Sequence, residues 1–127
     1  MPPRSPRPQF RWRSFAEAAV GLVALVRTQS NARVHLAATL GVAVVGFSLR
    51  ITPSEWCAVV LACGMVWMAE AFNTAIEILA DIVHPGEDPR IGRLKDIAAG
   101  AVLASALVAA LIGTLIFAPP LLAAFGR

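Results

Sequence analysis

The chain has no tyrosine, a single lysine (Lys95) and two cysteines among its 127 residues. Charge is also scarce: 15% of residues are charged, against about 25% in a typical soluble domain. This composition excludes a disordered chain, a coiled coil and an ordinary cytosolic enzyme. Cys57 and Cys63 lie in an apolar run, without metal-ligand spacing or a loop setting, and read as small buried hydrophobes. Also missing are a P-loop, a Gly-rich kinase loop and a dinucleotide-binding fingerprint. What is abundant is apolar: 57% of residues are hydrophobic and the mean hydropathy is +0.69. The expected class is a small all-α polytopic membrane protein. The net charge of +3 is scattered, so no nucleic-acid partner is expected.

Residues 1–13 hold four prolines and four arginines and read as a disordered basic tail. Residues 14–127 are expected to form one membrane domain. Phe15, Ala18, Ala19, Leu22, Leu25 and Val26 recur at helical steps, so an amphipathic surface helix is expected over about 14–29. The first span, about 31–49, contains the uncharged stretch Val34 to Leu49. Pro53, with Thr52 or Ser54 as cap, opens a second helix over about 53–83. His84-Pro85-Gly86 ends it. The third span, about 90–118, includes the charge-free run from Ile97 to Phe117, and Pro119-Pro120 is expected to stop it. Arginines and the lysine cluster before the first span and in the 84–95 loop. The positive-inside rule therefore predicts both on the cytoplasmic side of the membrane.

The second helix carries the informative pattern. With about 100° per residue, Glu77 falls roughly 20° to one side of Glu70 and Asp81 roughly 20° to the other. Asn73 and Thr74 flank this stripe. Glu77 lies roughly 10 Å along the axis from Glu70, which places Glu70 deeper in the membrane. Each carboxylate on a membrane helix costs about 2.5–3.5 kcal/mol or more. Compensation must come from Arg33, Arg90, Arg93 or Lys95, or from a divalent cation such as Mg²⁺ with phosphate oxygens. Structural ion pairs with the arginines would be the plainer explanation of the acids. Lys95-Asp96, followed by Ala98, Ala99, Gly100 and Ala101, reads as a helix start with a small-residue packing face. It also reads as a phosphate contact by the only lysine. His35 and His84 read as interfacial polar residues. Trp12, Trp56 and Trp67 read as membrane anchors and packing groups.

The string Glu70-Ala71-Phe72-Asn73-Thr74-Ala75-Ile76-Glu77, followed by Asp81, resembles the E-x-x-N-S/T-A-I-E-x-x-x-D signature of the prokaryotic diacylglycerol kinase and undecaprenol kinase family. Lys95 to Val102 resembles that family's K-D-x-A-A-G-A-V, and Asn31-Ala32-Arg33-Val34-His35 its N-x-R-x-H piece. The versions present here are more similar to the undecaprenol kinase branch. The resemblance implies a surface helix, three spans and a homotrimer, with ATP-dependent, Mg²⁺-assisted phosphorylation of a lipid hydroxyl. By motif, Glu70 would be the general base, with Asn73 and Ala99 beside the lipid. Glu77 would bind Mg²⁺ with ATP, and Lys95 and Asp96 would contact the nucleotide, with Glu87 lining its site. Many members carry a metal-binding Glu where this chain has Gln29; a neutral amide oxygen there should bind the metal more weakly. Two other functions fit a small membrane protein: a proton-coupled exporter and a non-catalytic scaffold. An exporter predicts one acid midway along a span and usually four spans. A scaffold leaves the acids without purpose.

Overall fold

The computed structural model describes residues 12–125, which form four helices and no strand. They are α1 (Trp12–Thr28), α2 (Ser30–Leu49), α3 (Pro53–Val83) and α4 (Pro89–Phe125). The expected basic tail lies, up to Arg11, outside the described residues.

In α1 only Leu25 is buried and Val26 half-buried. The rest of its apolar stripe is exposed on the single chain, as suits a helix lying on a membrane surface. Gln29 is a single extended residue that redirects the chain into α2. The Arg33 guanidinium reaches back to the Arg27 carbonyl at 3.2 Å, satisfying one of the acceptors left open at the end of α1.

The α2–α3 corner is tight. Arg50 takes a left-handed conformation and sends its N–H to the last turn of α2. The Thr52 side chain then accepts from the Glu55 N–H, while the Glu55 carboxylate accepts from the Thr52 N–H at 2.7 Å. This reciprocal cap starts α3, with Pro53 in the first helical position. A Cβ on Gly46 would lie 2.9 Å from the Trp56 ring. Glycine here lets the indole close over the end of α2, with the Phe47 ring centroid 4.7 Å away.

α3 packs along α4 more extensively than any other pair of helices. Val59, Ala62, Val66 and Ala80 of α3 are buried, as are Ala98, Val102 and Phe117 of α4. At the loop end Lys95 is paired with Asp81, tying the two helices together. Asp88 opens α4: its carboxylate accepts from the Arg90 backbone N–H at 2.8 Å and from the Arg90 guanidinium at 2.9 Å. That guanidinium holds the Asp88 carboxyl below the usual carboxylate range.

Three helices, α2, α3 and α4, are long and apolar enough to cross a membrane. Two expectations need correction. α4 does not stop at Pro119-Pro120 but runs through both to Phe125. Two missing N–H groups weaken a helix locally, yet proline's own φ suits it, and in an apolar setting unwinding would strand further backbone groups. Nor are the cysteines buried: Cys57 is exposed and Cys63 half-buried, both free. An apolar run on a membrane helix has a lipid face as well as a protein face, and hydropathy alone does not separate them.

Candidate active site

The stripe on α3 passes from the interior to the surface. Glu70 is 1% exposed, Asn73 5% and Thr74 6%. One helical turn or two further along, Glu77 is half-buried and Asp81 exposed. Burial was set by helix geometry: α4 covers the middle of α3, and the stripe emerges toward the 84–88 loop. Glu70 follows Pro53 by 17 residues, roughly 26 Å along the axis. That depth is close to the far edge of a hydrocarbon core about 30 Å thick.

Among the described residues, three buried polar atoms have no hydrogen-bond partner: Glu70 Oε2, Asn73 Oδ1 and Thr74 Oγ1. Native structures leave few such groups unmet, and each calls for an explanation. All three sit within five residues on one helix face, so the unmet hydrogen-bonding capacity is a local property of this site. The Asn73 amide N–H donates to Glu77 Oε1 at 3.0 Å. It thereby fixes the Glu77 carboxylate and leaves its own oxygen free.

The sequence-derived basic partners do not reach Glu70. Lys95 is committed to Asp81, Arg90 to Asp88, and Arg33 to a backbone carbonyl. Asp81 therefore is held by a structural ion pair, with the lysine rather than an arginine. What does face Glu70 is His35 of α2, with Nε2 3.9 Å from Glu70 Oε2. His35 was read from the sequence as an interfacial residue, and Thr74 only as a flank. The N-x-R-x-H resemblance in α2 includes this histidine but not its partner, because the contact depends on how α2 packs against α3. Trp67 likewise does more than pack: its Nε1–H donates to Thr39 Oγ1 at 3.1 Å.

Near the loop, Glu87, Asp88, Ile91, Gly92 and Lys95 line an open cleft of about 510 Å³. The structure thus brings Glu87 and Lys95 to one cleft. Asp96 and Ala99 are exposed on α4 and do not line this cleft. Gln29 is half-buried at the α1–α2 corner, and its side chain makes no capping bond. Among the described residues no three His, Cys, Asp or Glu side chains cluster in a metal-binding group. His35 also lines an apolar cavity of about 260 Å³ between α2, α3 and α4.

A buried acid with an open oxygen, and a second acid nearer water, suit a reaction joining a membrane hydroxyl to a polar donor. Comparison with known proteins points the same way. A profile of the prokaryotic diacylglycerol kinase family matches residues 16–117. The undecaprenol kinase of Bacillus subtilis (strain 168) is 36% identical over 110 residues, covering 87% of this chain and 89% of that protein. The diacylglycerol kinase of Synechocystis sp. is 31% identical over 110 residues, covering 86% of this chain and 63% of that protein. No solved structure matches the chain significantly. On this evidence of sequence and architecture, the chain belongs to the prokaryotic diacylglycerol kinase family and is a membrane-embedded lipid kinase.

Proposed function

We propose that the chain moves the γ-phosphoryl group of ATP to the hydroxyl of a membrane lipid, undecaprenol or diacylglycerol, at the cytoplasmic edge of the membrane. The observation that carries this reading is the buried Glu70 carboxylate, to which no side chain among the described residues donates a hydrogen bond, at the inner end of a stripe leading outward to Glu77. Glu70 takes the proton as the lipid oxygen attacks the γ-phosphorus. The new O–P bond forms, the bond from γ-phosphorus to the bridging oxygen breaks, and ADP leaves. Little covalent chemistry is asked of the protein, whose work is positioning and charge stabilisation.

Glu77 and Gln29 are the groups that would hold Mg²⁺. The donor types fit: both offer hard oxygen atoms, and the Gln29 amide is not used as a helix cap. With no larger acidic cluster among the described residues, most other ligands would be phosphate oxygens and water, the usual pattern for this ion. Bound there, the ion supplies charge neutralisation of the phosphates. Lys95, shared with Asp81, and Glu87 line the cleft proposed for the nucleotide, and Asp96 lies beside it. Asn73 and Ala99 are proposed to flank the lipid.

The homotrimer is part of the same proposal. Ala99, Gly100 and Ala101 are exposed small residues on the single chain, a face suited to close helix packing. The N-terminus and the 84–95 loop are assigned to the cytoplasm by their arginines and lysine. The test is transfer of labelled phosphate from ATP to undecaprenol or diacylglycerol by the purified chain in lipid bilayers. Labelled lipid phosphate is the expected product; none with either lipid contradicts the proposal.

A further inference from the structure

Among the described residues, Glu70 is the one buried acid, and His35 is the one basic side chain within 4 Å of it. The 3.9 Å separation is too long for a hydrogen bond. Such contacts in ligand-free sites often tighten only when the substrate is in place.

The approach of these two groups is not left to chance. The Thr39 hydroxyl donates to the His35 carbonyl at 2.7 Å and accepts from Trp67 Nε1–H at 3.1 Å. Thr39 lies one turn beyond His35 on α2, and Trp67 lies one turn before Glu70 on α3. The polar rung therefore sets the register of α2 against α3 at the very turns that carry His35 and Glu70. The remaining charged groups of the packed helices are committed or remote: Lys95 on Asp81, Arg90 on Asp88, Arg33 on the Arg27 carbonyl, and Arg27 and Arg93 exposed.

We propose that His35 is a positioning residue for the Glu70 carboxylate: with substrate bound, its Nε2–H donates to Oε2 and leaves the other oxygen aimed at the lipid hydroxyl. The proposal rests on Glu70 being the base. A carboxylate free to rotate in an apolar pocket presents its lone pairs in many directions. A single donor from the neighbouring helix fixes one. The histidine acts through Glu70 and need not touch the substrate.

The test compares turnover and KM in bilayers for the whole chain and its variants. His35→Leu should lower kcat roughly ten- to a hundredfold, the worth of a hydrogen bond to a charged group, with KM for ATP and lipid unchanged. His35→Gln keeps an N–H donor of similar reach and should recover most of that loss. In a Glu70→Gln background, His35→Leu should cause no further loss, because coupled residues are not additive. Imidazole added to His35→Ala should restore part of the rate, since the 260 Å³ cavity also opens onto His35.

Equal factors of loss in both backgrounds, or a Gln variant as poor as Leu, would overturn the role of His35 while leaving Glu70 as base. Full turnover in Glu70→Gln alone would instead remove the base itself. The unsubstituted protein supplies a measurement independent of folding in variants. The ¹⁵N resonance of His35 Nε2 should shift when lipid and a non-hydrolysable ATP analogue are added together. An unmoved resonance contradicts the proposal.

Discussion

A carboxylate in hydrocarbon is among the least favourable single residues a membrane helix can carry, and Glu70 is held there with an oxygen unmet. Asn73 makes the next acid different in kind: its amide fixes Glu77, which remains half-buried and closer to water. The two acids should therefore fail differently. Glu77→Gln should raise the Mg²⁺ and ATP concentrations needed for half-maximal rate, with part of the loss recovered at high Mg²⁺. Titrating Mg²⁺ at fixed lipid checks this, and a loss that no amount of Mg²⁺ relieves contradicts it. Gln29→Glu tests the other proposed ligand, since a carboxylate binds a hard cation more strongly than an amide oxygen. The Mg²⁺ midpoint should fall with the apparent affinity for lipid unchanged; an unchanged midpoint means Gln29 does not reach the metal. The stripe itself was legible in the sequence because 100° per residue aligns groups on one helix. The pairing of His35 with Glu70 was not, although the N-x-R-x-H resemblance includes the histidine, because the two lie on different helices 35 residues apart and only packing brings them together.

The helices were legible for the same local reason. Pro53 after a threonine marks a start that the structure places at that residue, and the third span, expected from about 90, starts at Pro89. The end of α4 was not, because a proline pair was weighted as a stop where an apolar helix carries on to Phe125. At the α2–α3 corner, Gly46→Ala would push a methyl into the Trp56 ring. Overpacking of this kind typically costs about 1–3 kcal/mol, and the Phe47 contact limits how far the indole can retreat. Detergent-induced unfolding should show the loss; unchanged stability would mean that the ring moves freely. Thr52→Ala removes the cap of α3 and should cost about 0.5–2 kcal/mol by the same measurement.

At the scale of the molecule, three spans leave the mouth of the stripe and the small-residue face of α4 open on a single chain. A Cβ at Gly100 meets nothing within 4 Å. Gly100→Ile should therefore be tolerated by the chain alone yet weaken the proposed trimer, read by cross-linking or mass in detergent. An intact trimer with that variant would place the interface elsewhere. If sites are shared between protomers, mixing inactive Glu70→Gln and Glu77→Gln chains should restore part of the activity, and no recovery argues for sites built within one chain. The central claim, that Glu70 is the base, is tested most directly by one comparison: single-turnover transfer of labelled γ-phosphate from ATP to lipid, for the unsubstituted chain and Glu70→Gln, with ATP binding measured on the same samples. The expected result is a rate lower by about 10²–10⁴ with ATP binding near normal; a Glu70→Gln chain that transfers phosphate at the normal rate would contradict it.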